Sequence, residues 1–278
     1  MKKILVLLLG MSVLFFLNSC VESKNEEELV VGLEASYPPF NFTELEKTES
    51  NVEIANLEGA YVDGYDVQIA KIIASSLKRK LVIKQIVWEA LVLALNNKEI
   101  DLIIAGMSPT EDRKQEVSFS SAYYTSTHVA IVLNNSKLKG ATTLEAFANK
   151  TGVGQIETIY ATLVQSLSVP PYNCTVLPVM DTVPLIINAI LNGVADFTIV
   201  EKPVALGYII NNPNLALALD VNPSINLFNV GESDRDVSIA VRKSETSLLK
   251  EINKILSSLS LDVRNHLMDA AINKSSKE

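Results

Sequence analysis

Two cysteines, two histidines and one tryptophan in 278 residues exclude several classes of protein at once. A disulfide scaffold needs far more cysteine, and the chain has neither zinc-type ligand spacing nor a Cys/His pair nor a Gly-x-Ser-x-Gly elbow. Basic residues are also in short supply. With 24 Lys and Arg against 32 Asp and Glu, the formal charge is −8, and no Lys/Arg-rich stripe stands out to attract a phosphate backbone. Nucleic acid is therefore excluded as a partner, and nothing in the composition calls for a metal or cofactor. What remains is a chain 48% hydrophobic and 20% charged, too apolar to be disordered. Its length allows one large domain or two lobes of about 100–200 residues, each with its own core.

Only one long apolar run is present, and it opens the chain. Lys2 and Lys3 precede Ile4 to Leu17, a stretch shorter than the roughly 20 residues that cross a bilayer. It has the form of an export signal over residues 1–19. The sequence Leu17-Asn18-Ser19-Cys20 resembles a bacterial lipobox. That resemblance implies cleavage before Cys20 and a lipid anchor on it, palmitate included, with the mature protein held outside the cytoplasm on a membrane. Residues 20–28 are polar and unpatterned, as a tether would be. Cys174 is then left without a partner and is expected as a buried thiol.

From Leu29 onward short apolar runs alternate with helical patterns, the signature of an α/β fold with a mostly parallel sheet. Leu29 to Leu33 predicts a strand. Asp66 is placed to cap a helix carrying Val67, Ala70, Ile73, Ala74 and Leu77. A strand at Leu81 to Ile83, a short helix over Trp88, Leu91, Ala94 and Leu95, and a strand at Asp101 to Ala105 complete a βαβαβ unit. A second set follows the stretch from Asn134 to Lys139. It predicts strands at Thr151 to Gln155, Thr175 to Leu177 and Asp196 to Val200, and helices at Thr158 to Leu167, Asp181 to Asn192 and Pro203 to Ile210. Then come a strand at Val237 to Val241 and a helix opened by Ser244. The glutamate-rich segment Thr43 to Ala60 is expected as a solvated surface loop.

Four segments stand out against this background: Gly32-Leu33-Glu34-Ala35-Ser36-Tyr37-Pro38-Pro39-Phe40, Gly106-Met107-Ser108-Pro109-Thr110-Glu111-Asp112-Arg113, Gly152-Val153-Gly154-Gln155-Ile156-Glu157-Thr158, and Asp196-Phe197-Thr198-Ile199-Val200-Glu201. In that order they resemble the extracytoplasmic amino-acid-binding proteins of ABC importers, solute-binding protein family 3, with the type II periplasmic-binding fold. The resemblance covers nearly all of the chain after the tether. It implies two α/β lobes with a ligand cleft between them: residues 29–125 with 236–278 as lobe 1, and 126–235 as lobe 2.

The resemblance also implies roles. In the first segment Glu34 would contact the ligand side chain and Tyr37 and Phe40 would present aromatic faces, Tyr37 ahead of Phe40; the alternative for both rings is the core. In the second, Gly106, Ser108 and Arg113 would hold the α-carboxylate, because a guanidinium offers two parallel donors to a planar anion and an ammonium does not. The competing role for Arg113 is a surface pair with Glu111 or Glu116. In the third, Thr158 would cap a helix whose free N–H groups and positive end suit the same anion. Here the chain departs from the family's Gly-Thr or Gly-Ser, having Ile156-Glu157 ahead of Thr158. In the fourth, Glu201 takes the place of the family's ammonium-binding Asp, one methylene longer, while Asp196 points away.

One cation, Arg113, and two anions, Glu201 and Glu34, would leave a neutral amino acid with an unmatched negative charge. The count favours arginine, lysine, ornithine or histidine, with Tyr37 in cation–π contact; the alternative is that Lys84 or another lysine neutralises Glu34. The expected partners are a free amino acid and an ABC permease, with the protein a monomer. Two rivals share the fold: a dehydratase of small carboxylates and an amino-acid-sensing lipoprotein. His128, in a strand-like run, is expected to be packed and not catalytic.

Overall fold

The computed structural model describes residues 27–275, so the expected signal peptide, Cys20 and most of the tether lie outside the described residues. The chain builds two mixed five-stranded sheets. In the first, the strand Glu28–Leu33 buries Leu29, Val31 and Leu33 and runs parallel to Lys80–Gln85 on one side and Leu102–Ile103 on the other. Ala240–Val241 and Ser118–Phe119 extend the sheet antiparallel. In the second, Thr151–Gly152 lies parallel to Thr175–Val176 and to Phe197–Glu201, and His128–Leu133 and Leu215–Ala218 follow antiparallel. Between the two sheets the chain passes twice, along Tyr124–Thr125 and Asp236–Val237, which pair antiparallel. This two-lobed α/β architecture places Glu34, Gly106 and Glu201 at or just beyond the carboxyl ends of strands, where open α/β sheets hold their ligands.

Helices follow the apolar periodicity. Tyr65–Leu77 buries Val67, Ala70, Ile73 and Ala74, and Thr246–Ser258 buries Leu248, Ile252 and Leu256. Capping differs in two places. Gly64, not Asp66, holds the N-cap of Tyr65–Leu77 with φ 124°, because a Cβ there would lie 2.4 Å from the Phe40 carbonyl oxygen. Asp66 sits in the first turn, fully buried, accepting from Tyr123 Oη at 2.6 Å and Asn41 Nδ2 at 2.8 Å; burial lifts its pKa to about 7. Glu245, not Ser244, precedes the helix Thr246–Ser258.

Segment Thr43 to Ala60 is not a solvated loop. With its flanks it forms a four-stranded antiparallel sheet of Ser36–Tyr37, Asn41–Glu44, Val52–Glu53 and Tyr61–Asp63, and buries Glu44, Asn51 and Ile54. The physical reason lies far along the chain. Lys274, on the helix Leu261–Ser275, reaches Glu44 at 2.7 Å and also pairs with Asp63, so the acidic segment is neutralised from outside itself. That last helix was itself absent from the sequence reading. The strand expected over Val237 to Val241 divides in two, Asp236–Val237 joining the inter-lobe pair and Ala240–Val241 the first sheet. Glu28, expected in the tether, belongs to the first strand.

Candidate functional site

A cavity opens between the lobes. Glu34, Tyr37, Trp88, Gly106, Ser108 and Arg113 line it from the first lobe, and Gln155, Thr158, Ile159 and Tyr160 from the second. Glu201 stands behind this wall at 2% exposure. Phe40, expected as a ligand contact, is not on the wall. It is fully buried, stacked on Tyr37 with ring centroids 5.7 Å apart and edge-on to Tyr65 and Tyr124, and so braces the tyrosine from within the core.

Arg113 lies on the short helix Glu111–Glu116, whose N-cap Thr110 accepts the Arg113 main-chain N–H at 3.3 Å. Its guanidinium is not spent on Glu111, which pairs with Lys114. Nη1 donates to the Ser108 carbonyl at 2.9 Å, Nη2 crosses the cleft to the Glu157 carbonyl at 2.8 Å, and the group lies 4.9 Å from the centre of the Trp88 ring. Burial lowers the Arg113 pKa, with Tyr160, Glu157 and Glu201 opposing the shift. A guanidinium has five N–H donors, so three remain for an anion. Gly106 has φ 64°, which favours glycine, and a Cβ on it would press on the Tyr37 ring at 3.0 Å.

From the second lobe, Thr158 caps the helix Ile159–Ser166. Its Oγ1 accepts from Ala161 N at 3.2 Å and donates to the Gln155 carbonyl at 2.8 Å. The first-turn N–H groups have no intrahelical partner, as at any helix start. The departure from the family's glycine turn resolves here: Glu157 takes the left-handed conformation, φ 55°, that glycine usually supplies. Its carbonyl receives both Arg113 and Trp88 Nε1, the latter at 3.3 Å.

Glu201 ends the strand Phe197–Glu201. Its Oε2 accepts from the Tyr37 hydroxyl, while Oε1 and the Tyr160 hydroxyl are both buried without a hydrogen-bond partner. Burial raises the Glu201 pKa, and Tyr37, Tyr160 and Arg113 pull against the rise. Burial and the Glu201 charge hold the Tyr37 hydroxyl well above the usual tyrosine range, so it stays a donor. Asp196, at the far end of the strand, accepts the Thr151 main-chain N–H at 2.8 Å.

Glu34 is 6% exposed; burial raises its pKa, and hydrogen bonds from Ser36 and Gln155 oppose this. Lys84 does not neutralise it, since its Nζ donates to the Glu99 carbonyl at 3.0 Å. Among the described residues Glu34 has no ion-pair partner. His128 is buried edge-on to Tyr160 at 5.4 Å, and burial pushes its pKa down to about 4, which keeps it neutral.

Trp88, Gln155, Ile159 and Tyr160 were not among the expected site residues. Gln155 was within reach, being inside the third segment. Tyr160 follows Thr158 by two positions at the helix start. The isolated tryptophan carried no local signal beyond its place on a short apolar helix face, although it is the only one in the chain.

Two α/β lobes, with Arg113 on the cleft wall in one and the buried acid Glu201 behind it in the other, form a cleft-type receptor architecture. The chain belongs to the bacterial extracellular solute-binding proteins, family 3, which it matches over residues 29–269. It is similar to the arginine-binding extracellular protein ArtP of Bacillus subtilis, with 30% identity over 77% of this chain and 79% of that one. A probable histidine-binding protein of Neisseria gonorrhoeae is 29% identical over 81% of each chain. Among solved structures, the amino acid ABC transporter substrate-binding protein AbpA of Streptococcus pneumoniae, bound to L-arginine, has TM-score 0.75 and 25% identity over 90% of this chain and 97% of that one. The protein is thus an extracytoplasmic amino-acid-binding component of an ABC transporter, a binder and not an enzyme. The dehydratase alternative is set aside by that membership.

Proposed function

We propose that this protein captures a cationic amino acid, arginine foremost, and presents it to the permease in the lobe-closed form. The observation that carries the choice is Glu34: a buried carboxylate on the cavity wall with no ion-pair partner among the described residues. A zwitterion leaving water must have both of its charges met, since an unpaired buried ion costs several kcal/mol. Arg113, the Ser108 turn and the helix start at Thr158 would take the α-carboxylate. Oε1 of Glu201, free of any partner, would take the α-ammonium. A side chain bearing a positive charge would then answer Glu34, with the Tyr37 and Trp88 rings alongside. The names of the arginine- and histidine-binding relatives support this reading.

Ligand contacts to both lobes favour closure about the paired strands Tyr124–Thr125 and Asp236–Val237, which we take as the boundary between lobe 1 (29–125 and 236–278) and lobe 2 (126–235). Calorimetric titration of the purified protein with arginine, lysine, ornithine, histidine and glutamine tests the reading. Binding of the cationic ligands is expected, and exclusive binding of glutamine would overturn the cationic choice. We also propose that Cys20 carries a lipid anchor on a monomeric protein. Cys20→Ala should then move the protein from the membrane fraction to the soluble one, and unchanged membrane retention would refute it.

A further inference from the structure

Glu34 and Gln155 face each other across the cleft, 6% and 5% exposed. Gln155 Nε2 lies 3.1 Å from each carboxylate oxygen of Glu34 and 3.0 Å from the main-chain carbonyl of Asp181. All three neighbours are acceptors, so the amide nitrogen, and not its oxygen, must face them. One of its protons serves Asp181 and anchors the amide to the second lobe; the other is shared between the two oxygens of Glu34. Ser36 Oγ adds a third contact to Glu34 at 2.7 Å. Every donor to this buried carboxylate is therefore neutral and supplied by the protein. Arg113, the cation on the cavity wall, is engaged with the Ser108 and Glu157 carbonyls instead.

We propose that Gln155 sets the charge selectivity of the cleft: its amide stands in for a ligand cation at Glu34, so the lobes can close on neutral polar side chains as well as on cationic ones. This inference rests on the amino-acid-binding reading above and goes beyond it, because that reading predicts a preference for cations and gives no reason for a neutral ligand to be tolerated. With Gln155 in place, a ligand lacking a positive side chain leaves Glu34 hydrogen-bonded and not bare. Without it, only a ligand that brings its own cation can satisfy Glu34 in the closed form.

Arginine and citrulline, which have the same length and differ in side-chain charge, are the probes. Both should bind the wild-type protein, with arginine the tighter. In Gln155→Leu the citrulline affinity should fall about tenfold or more while arginine changes by less than about threefold, since a hydrogen bond to a charged group is lost only where the ligand cannot replace it. In Gln155→Lys a fixed ammonium beside Glu34 should reverse the order, weakening arginine by about tenfold or more and sparing citrulline. An arginine-to-citrulline ratio within about threefold of wild type in either variant overturns the proposal. A wild-type protein that binds arginine but not citrulline would also overturn the proposal, whereas one that binds neither probe would overturn the cationic reading on which it rests, a result distinct from an unchanged ratio.

Discussion

The hydroxyl of Tyr37, in the first lobe, donates to Oε2 of Glu201, in the second, and leaves Oε1 of the same carboxylate buried and unpartnered. The two residues are 164 positions apart in sequence. Their contact is one of several that join the lobes through the wall of the cavity, with Arg113 and Trp88 on the Glu157 carbonyl and Gln155 on Glu34.

The proposed role of Glu201 as partner of the ligand ammonium predicts that affinity depends on pH. Burial holds its pKa above the ordinary glutamate value, and the Tyr37 hydrogen bond, with the nearby Tyr160 hydroxyl and Arg113 guanidinium, offsets that only in part. A ligand ammonium needs the ionised carboxylate, so a proton competes with the ligand. Affinity should be complete at high pH and fall as pH drops through the raised pKa, beginning above the value of about 4.3 at which a free glutamate titrates. Calorimetry across that range should show a fall approaching about tenfold per pH unit, and Glu201→Gln should bind more weakly with a shallower slope. An affinity that does not change with pH in the wild-type protein would remove Glu201 from the site.

Arg113 is tested through its neighbour. Trp88 is the only tryptophan in the chain, and the Arg113 guanidinium lies 4.9 Å from its ring centre, so its emission should report events around Arg113. Ligand titration followed by this signal should show Arg113→Ala weakened by about 2–5 kcal/mol, the usual loss when one partner of a buried charge pair is truncated. Arg113→Lys should recover only part of it, because an ammonium cannot offer two parallel donors. Full recovery by lysine would mean that charge alone matters there.

Lys274 ties the last helix to the small acidic sheet. Asp63 has its pKa lowered because the Lys274, Ser50 and Gly64 hydrogen bonds outweigh its desolvation, and Lys274 has its pKa raised by the same pairing with Asp63 and Glu44. A depressed folded-state pKa means that the Asp63 contribution is present above its unfolded pKa and lost as pH falls through the folded one. Lys274→Met should destabilise the protein by about 1–3 kcal/mol at neutral pH, below the figure for a fully buried pair because the lysine is partly exposed. The deficit should shrink on acidification. Urea denaturation at two pH values measures both, and a variant as stable as wild type at neutral pH would show that the pairing contributes nothing.

Periodicity made the main strands and helices visible, since Leu29 to Leu33 and the apolar stripe of Tyr65–Leu77 carry their own burial pattern. Part of the cleft wall was visible as well: Arg113 donates back to the Ser108 carbonyl five residues earlier, and Thr158 caps its own helix, so each of these arrangements is local. Tyr37 was expected in the cleft ahead of Phe40, but that choice rested on no local pattern. Two aromatics on one loop have the same composition signal whether they face the cavity or the core, and only packing against Tyr65 and Tyr124 drew Phe40 inward.

The sequence by itself determined the α/β class, the two-lobed organisation and the residue types able to hold a zwitterion, because these depend on side-chain spacing within a few turns of chain. Tertiary structure decided which of those residues meet. Gln155 reaches Glu34 over 121 positions, and Lys274 reaches Asp63 over 211, turning an acidic stretch into a folded sheet. Charge neutralisation and desolvation act through space, and no pattern along the chain records which distant group will arrive.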